Sequence, residues 1–143
     1  MTESDDVRFY EMIRGRIEHE DGLIVQRLSW LVGSQSFLFT AFAISVNGLA
    51  TLGPTLGGQL HVLKEILPWV GIFASGLIYV GVVAALFSMS WLRRSFEARG
   101  KTAAALGVPE LLTPIPIRAP GLAAPLFLPL LFIAAWAWLE FRA

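Results

Sequence analysis

Residues 66–92 read ILPWVGIFASGLIYVGVVAALFSMSWL, and this stretch contains no Asp, Glu, Lys or Arg. An α-helix rises about 1.5 Å per residue, so about 20 apolar residues are enough to cross the ~30 Å hydrocarbon core of a bilayer. A helix on the surface of a soluble domain would also show a charged face, which this stretch lacks. The sequence therefore predicts a transmembrane helix at residues 68–91.

Two more charge-free stretches lie at residues 28–63 and 119–139. Each is long enough to hold a membrane-spanning helix, and we predict these helices at residues 30–52 and 122–141. Of the 143 residues, 55% are hydrophobic and 15% are charged, whereas soluble domains carry about 25% charged residues. The predicted fold class is therefore an all-α membrane protein with three transmembrane helices.

The five tryptophans fall near the ends of the predicted helices. Tryptophan prefers the membrane–water interface, where its ring is buried and its N–H stays hydrated. Lysine and arginine prefer the adjoining cytoplasmic side. We therefore predict a set of membrane-interface anchors, namely Trp30, Trp69, Trp91, Trp136, Trp138, Arg93 and Arg94.

Residues 4–29 are predicted to form a separate amphipathic helix on the cytoplasmic side, before the first span. Its apolar residues recur at near-heptad spacing, and charged residues stand between them. Residues 1–29 carry four arginines against seven acids, and residues 92–121, the predicted cytoplasmic loop, carry five basic residues against two acids. We therefore expect the helix to pack on that loop or on copies of itself rather than on anionic lipid. The apolar positions are Tyr10, Ile13, Ile17, Ile24 and Leu31.

Lysines and arginines are distributed unevenly along the chain. Residues 1–29 and 92–121 hold nine of them, whereas residues 53–67 and the C-terminal tail hold two. Because Lys and Arg favour cytoplasmic segments, we predict a cytoplasmic N-terminus and an external C-terminus. The small size and simple architecture suggest a bacterial cytoplasmic membrane. The domain organisation predicted is a cytoplasmic helix, 1–29, followed by a three-span domain, 30–143.

Uncharged polar residues of the first predicted span share one face. At about 100° per residue they fall within about 40° of one another. Such groups pack against other helices, line a water-filled pore or line a ligand pocket, and the sequence leaves these three interpretations open. The residues are Ser29, Ser36, Thr40 and Asn47.

The second predicted span has a face of small residues, which lets helix backbones approach closely. Two of its members are four residues apart, in the small-xxx-small arrangement that recurs at helix contacts in membranes. We predict that this face packs against another helix. Its residues are Gly71, Ala74, Ser75, Gly81, Ala85 and Ser88.

Two connecting segments have their own patterns. Residues 56–67 place leucines on one side and charges on the other, which predicts a short interfacial helix. Residues 111–120 contain three prolines, which predict an extended strap because proline lacks the N–H that a helix needs.

The sequence shows no catalytic, nucleotide-binding or metal-binding motif, so we expect no enzyme activity, no cofactor or metal, and no nucleic-acid binding. No Asp, Glu, Lys, Arg or His lies in the interior of a predicted span, since Glu140 stands at the end of the third, and this argues against a proton relay or an ion-coupled transporter. The bilayer is the expected environment, and three helices make a thin bundle that favours a homo-oligomer.

These observations favour a small homo-oligomeric ion channel in which the first span lines the axis. Acidic residues of the N-terminal helix would form a cytoplasmic vestibule that attracts cations. The alternative is a non-conducting scaffold or accessory subunit that binds a cytoplasmic protein through the N-terminal helix and the proline-rich loop. The vestibule residues are Glu11, Glu18, Glu20 and Asp21.

Overall fold

The computed structural model describes residues 3–49, 54–98 and 115–142, and these form three long α-helices. The helices are α1 (Glu3–Leu49), α2 (Pro54–Glu97) and α3 (Ile115–Arg142). Each contains a stretch long and apolar enough to cross a membrane. The described chain is thus all-helical, with the architecture of a small multi-pass membrane protein.

The predicted boundary between a cytoplasmic helix at residues 4–29 and a first span is wrong, because α1 runs through both without a break. The change from charged to apolar sequence near Leu28 alters the surroundings of the helix and not its backbone. No proline interrupts α1, so its i→i−4 backbone hydrogen bonds can continue past Leu28. The whole of α1 is a single candidate span.

The helix α2 likewise absorbs the predicted interfacial helix at residues 56–67, and it continues through the buried Pro68 to Glu97. A proline inside a helix removes one backbone hydrogen bond, and here the packing of α2 against its neighbours holds the helix together across that position. The predicted cytoplasmic loop at residues 92–121 is correspondingly shorter, because α2 occupies its first six positions.

The helix α3 begins at Ile115, so the predicted strap at residues 111–120 is wrong for its second half. Pro116 lies in the first turn of α3, where backbone N–H groups have no intrahelical partner and a missing N–H costs little. Residues 111–114 lie outside the described part of the chain.

Three contacts fix α1 and α2 as an antiparallel pair. The Tyr10 ring meets the Phe96 ring edge-on at 5.9 Å. Arg27 donates a hydrogen bond to the carbonyl oxygen of Gly81, and Gln35 donates one to that of Gly71. Residue numbers thus rise along α1 as they fall along α2, and the register differs by no more than two residues between these contacts.

Two apolar clusters hold the helices together. The first joins the N-terminal half of α1 to the C-terminal half of α2, and the five heptad positions predicted to form a packing face are all buried. The second joins the three helices around Phe42, Leu67 and Trp136. The core of the first cluster consists of Tyr10, Ile13, Ile17, Ile24, Val82, Ala85, Met89 and Phe96.

The register sets the charged part of α1 beside an apolar part of α2. Since Tyr10 is level with Phe96 and Arg27 with Gly81, position 18 of α1 is level with about position 89 of α2. Residues 16–21 of α1 carry five charged or histidine side chains, whereas residues 82–91 of α2 carry none. Two adjoining helices therefore present different chemistry at the same height.

Candidate functional site

One buried amide connects all three helices. Gln35 donates from Nε2 to the carbonyl oxygen of Gly71 at 3.2 Å and to Oγ of Ser75 at 3.0 Å. Its Oε1 accepts a hydrogen bond from the indole Nε1 of Trp136. A buried amide is costly when a donor or acceptor stays unpaired, and among the described residues no buried side-chain polar atom lacks a partner. Gln35 therefore specifies how α1, α2 and α3 meet.

The Trp136 ring fills the centre of this junction. It stacks on Phe39 with ring centroids 4.2 Å apart and meets Phe42 edge-on at 5.6 Å. The ring also lies directly against Gly71, where a Cβ atom would overlap the indole. The structure thus places Trp136 inside the chain, whereas the sequence suggested a membrane-interface position.

The other predicted interface anchors lie on the outside of the chain. Four tryptophans, Trp30, Trp69, Trp91 and Trp138, have more than half of their surface exposed. The Arg142 guanidinium lies 4.1 Å from the centre of the Trp138 ring, in a cation–π arrangement. Arg94 is exposed and Arg93 is half-buried.

An arginine crosses between α1 and α2 at a level that the sequence assigns to the second span. Nη1 of Arg27 donates to the Gly81 carbonyl oxygen at 3.0 Å, and a Cβ atom added at Gly81 would lie in ordinary contact with the Arg27 side chain, at 3.7 Å. Gly81 lies ten residues before Trp91, which is about 15 Å along a helix. The inference from the sequence considered each predicted span by itself, so it did not take account of an arginine of α1 beside the second predicted span.

The residues of the predicted small face of α2 contact several different partners. Gly71 and Ser75 lie at the junction with Gln35 and Trp136. Ala85 belongs to the apolar cluster with α1, and Gly81 receives Arg27. The remaining members, Ala74 and Ser88, are half-buried.

The predicted polar face of the first span points away from α2 and α3. Ser29, Ser36, Thr40 and Asn47 are all exposed, and the three hydroxyl groups donate to carbonyl oxygens four residues earlier in α1. Among the described residues, these three hydroxyls donate their hydrogen bonds within α1 and not to another helix. Of the three interpretations left open by the sequence, interhelical packing would need a second chain.

This polar face continues into the charged half of α1. At about 100° per residue, Glu11 and Glu18 fall within the same arc of about 40° as the four polar residues. Both glutamates are exposed. Glu18 forms an ion pair with Arg14, in which Oε1 of Glu18 lies 2.8 Å from Nε of Arg14. We call this set of six residues the α1 outer stripe: Glu11, Glu18, Ser29, Ser36, Thr40 and Asn47. Of the other predicted vestibule residues, Asp21 is exposed and Glu20 is half-buried.

A groove of about 690 Å³ lies between α1 and α2, and most of its lining residues belong to α1. Its lining is mostly apolar. The lining residues are Gln26, Ser29, Trp30, Gly33, Ser34, Phe37, Leu38, Val70 and Ala74.

Sequence reasoning missed Gln35 and Arg27. Gln35 does carry a signal, because it follows Leu31 by four residues and precedes Phe42 by seven, which places an amide on an otherwise apolar helix face. Arg27 gives no such signal, since its role depends on Gly81, 54 residues away. Among the described residues there is no group of three or more His, Asp or Glu side chains that could hold a metal ion.

Comparison of this chain with family models, with curated proteins and with solved structures finds no match.

Proposed function

We propose that this protein is a homo-oligomeric channel in which the α1 helices of several copies surround a water-filled axis. The observation that carries this proposal is the α1 outer stripe, a row of polar and acidic side chains that are exposed on one face of α1. Membrane proteins turn such faces toward a cavity or another protein subunit rather than toward lipid.

The register between α1 and α2 supports the same arrangement. At the height where α1 exposes Glu18, α2 exposes Phe87 and Trp91, each with about two-thirds or more of its surface accessible. Lipid suits the aromatic rings and water suits the carboxylate. A ring with α1 inside and α2 outside satisfies both, because each helix then meets the medium that its exposed face favours.

The charges on the stripe favour the passage of cations. Glu11 lies toward the N-terminal end of α1, and a ring of such carboxylates raises the local cation concentration at one mouth of the pore. Arg14 partly neutralises Glu18 through their ion pair, so Glu11 contributes the larger share. The hydroxyls of Ser36 and Thr40 would then line the narrower apolar section.

The orientation that fits this proposal has the N-terminus in the cytoplasm and the C-terminus outside, as the distribution of Lys and Arg favours. A bacterial cytoplasmic membrane remains the proposed location. Under this orientation the acidic mouth of the channel opens to the cytoplasm.

Conductance of the purified protein in planar bilayers tests the proposal. We expect Ser36→Leu and Thr40→Leu to reduce single-channel conductance several-fold, and Glu11→Gln to lower the cation-to-anion permeability ratio. The matched control is Leu77→Ala, an exposed position on α2 that faces lipid in the proposed ring. A monomeric mass in detergent, or conductance indifferent to all three stripe variants, contradicts the proposal.

The competing hypothesis is a non-conducting scaffold that binds a cytoplasmic partner through its N-terminal helix. The apolar face of that helix is already occupied by α2, which leaves mainly charged positions for a partner. A protein that co-purifies, together with an absence of conductance, would favour the scaffold.

A further inference from the structure

We propose that the groove between α1 and α2 binds the α1 helix of a second copy. The copies are parallel and meet head to tail, which means that the groove of one copy contacts a different surface of the next. This inference rests on the homo-oligomer in the proposed function and specifies the surfaces by which its copies meet. The groove flanks the α1 outer stripe, so a helix seated in it would stand beside the first helix around a common axis. Gly33 is one of the residues that line the groove, and the space beside it is open, because a Cβ atom added there would have no neighbour within 4 Å.

Charge is distributed unevenly around α1 in a way that matches this packing. The exposed charges on the flank that faces the groove are Arg8, Arg16 and Asp5, and those on the opposite flank are Asp21 and Arg14, of which Arg14 is paired with Glu18. Around a closed ring, the groove flank of each copy would meet the opposite flank of the next, so that Arg16 approaches Asp21.

The apolar side chains of the opposite flank match the groove in height. Copies in a ring stand at the same level, so Val25 and Val32 of one copy would lie beside Gln26 and Gly33 of the next. Both valines are exposed, Val25 to 65% and Val32 to 44%. A side chain of valine size facing a glycine allows the close helix approach that membrane interfaces favour.

One ion pair would then form between copies. Asp21 and Arg16 lie five residues apart along α1, which is a rise of about 7.5 Å that an arginine side chain can cover. Both side chains are exposed, and neither forms an ion pair among the described residues. Such an interface is heterologous, since two different surfaces meet, and it closes into a ring when the rotation between copies allows.

Disulfide trapping tests this interface directly, because the natural chain has no cysteine. In membranes under mild oxidation, the double variant Val32→Cys/Gly33→Cys should give a ladder of cross-linked multimers. Each single variant should give no dimer, and a mixture of the two single variants should give dimers only. The matched control is Leu77→Cys/Val80→Cys, a pair of exposed α2 positions that should not cross-link.

The outcomes separate this inference from the proposed function. A ladder without channel conductance supports the interface and contradicts the channel. An oligomeric mass without a ladder, or dimers from Val32→Cys alone, overturns the head-to-tail interface and leaves the homo-oligomer intact.

Charge reversal provides a second, independent measurement. We expect Arg16→Asp and Asp21→Arg each to weaken the oligomer in detergent, with about a tenfold rise in the dissociation constant, because like charges then face each other. The double variant Arg16→Asp/Asp21→Arg should restore assembly. If the loss of association free energy in the double variant equals the sum of the two single losses, the two side chains do not meet across copies.

Discussion

The indole of Trp136 lies directly against Gly71, so that a larger residue on α2 would overlap the ring and a smaller one on α3 would leave a cavity. The same indole donates its N–H to Gln35 on α1. A single aromatic side chain thereby sets the relative position of all three helices, and the stability of the protein should depend strongly on its surroundings.

Gly71→Ala should destabilise the protein by about 1–3 kcal/mol, because the added methyl group overlaps the Trp136 ring and a packed interior resists extra volume. Unfolding of the detergent-solubilised protein by denaturant gives the measurement. Gly76→Ala, five residues further along α2, is the control. An added Cβ atom at Gly76 meets nothing within 4 Å, so alanine there should be neutral or stabilising by up to about 1 kcal/mol. Equal effects of the two variants would contradict the close contact.

Gln35→Leu should destabilise the protein by about 1–3 kcal/mol, since the Trp136 N–H is then buried without an acceptor. In the double variant Gln35→Leu/Trp136→Phe both partners are absent, and its loss of stability should be smaller than the sum of the two single losses. The exposed Gln59→Leu serves as control. Additive losses would show that the two side chains act independently.

Phe96→Ala should loosen the N-terminal part of α1 and leave the three-helix junction intact. Phe96 is buried and contacts the rings of both Phe9 and Tyr10, and its truncation leaves a cavity in the first apolar cluster. We expect faster amide hydrogen exchange around residues 8–17 and unchanged exchange around residues 35–42. Phe87→Ala, at an exposed position on the same helix, should change neither region.

Ser36→Cys should react rapidly with a water-soluble thiol reagent in membranes, because the α1 outer stripe faces water in the proposed ring. Leu77→Cys, on the exposed face of α2, should react slowly because that face meets lipid. Equal reaction rates at the two positions would place the stripe in the bilayer and remove the main support for a water-filled axis.

The proposed orientation predicts opposite labelling of the two ends of α2. Gln59 and Ala98 are both exposed, and they lie near the N-terminal and C-terminal ends of that helix. A membrane-impermeant maleimide applied to intact cells should label Gln59→Cys at once and Ala98→Cys only after the membrane is opened. The reverse pattern would place the N-terminus outside.

The sequence predicts the three apolar helices and the packing face of α1 because both depend on local composition and on the helical repeat. The boundary predicted near residue 30 fails for a physical reason. A change in charge marks a change of surroundings, whereas the end of a helix requires a break in the backbone hydrogen bonding, and α1 has none there.

Some features of the candidate site can likewise be predicted from the sequence and others cannot. The polar face through Ser36 and Thr40 follows from helical spacing, and both side chains are exposed in the described part of the chain. The position of Trp136 does not follow from spacing, because its partner Gln35 is 101 residues away. Arg27 is similar, since its depth depends on which residue of α2 stands beside it.

The register of α1 against α2 also limits the thickness of the bilayer that the protein fits. The charge-free part of α1 begins at Leu28 and that of α2 at Ile66. With Gln35 level with Gly71, the band that is charge-free on both helices is about 14 residues or ~20 Å tall. This is less than the ~30 Å of an average hydrocarbon core. Such a hydrophobic mismatch is relieved when the surrounding lipid thins or when copies assemble, so the packing inside one chain would favour the association proposed above.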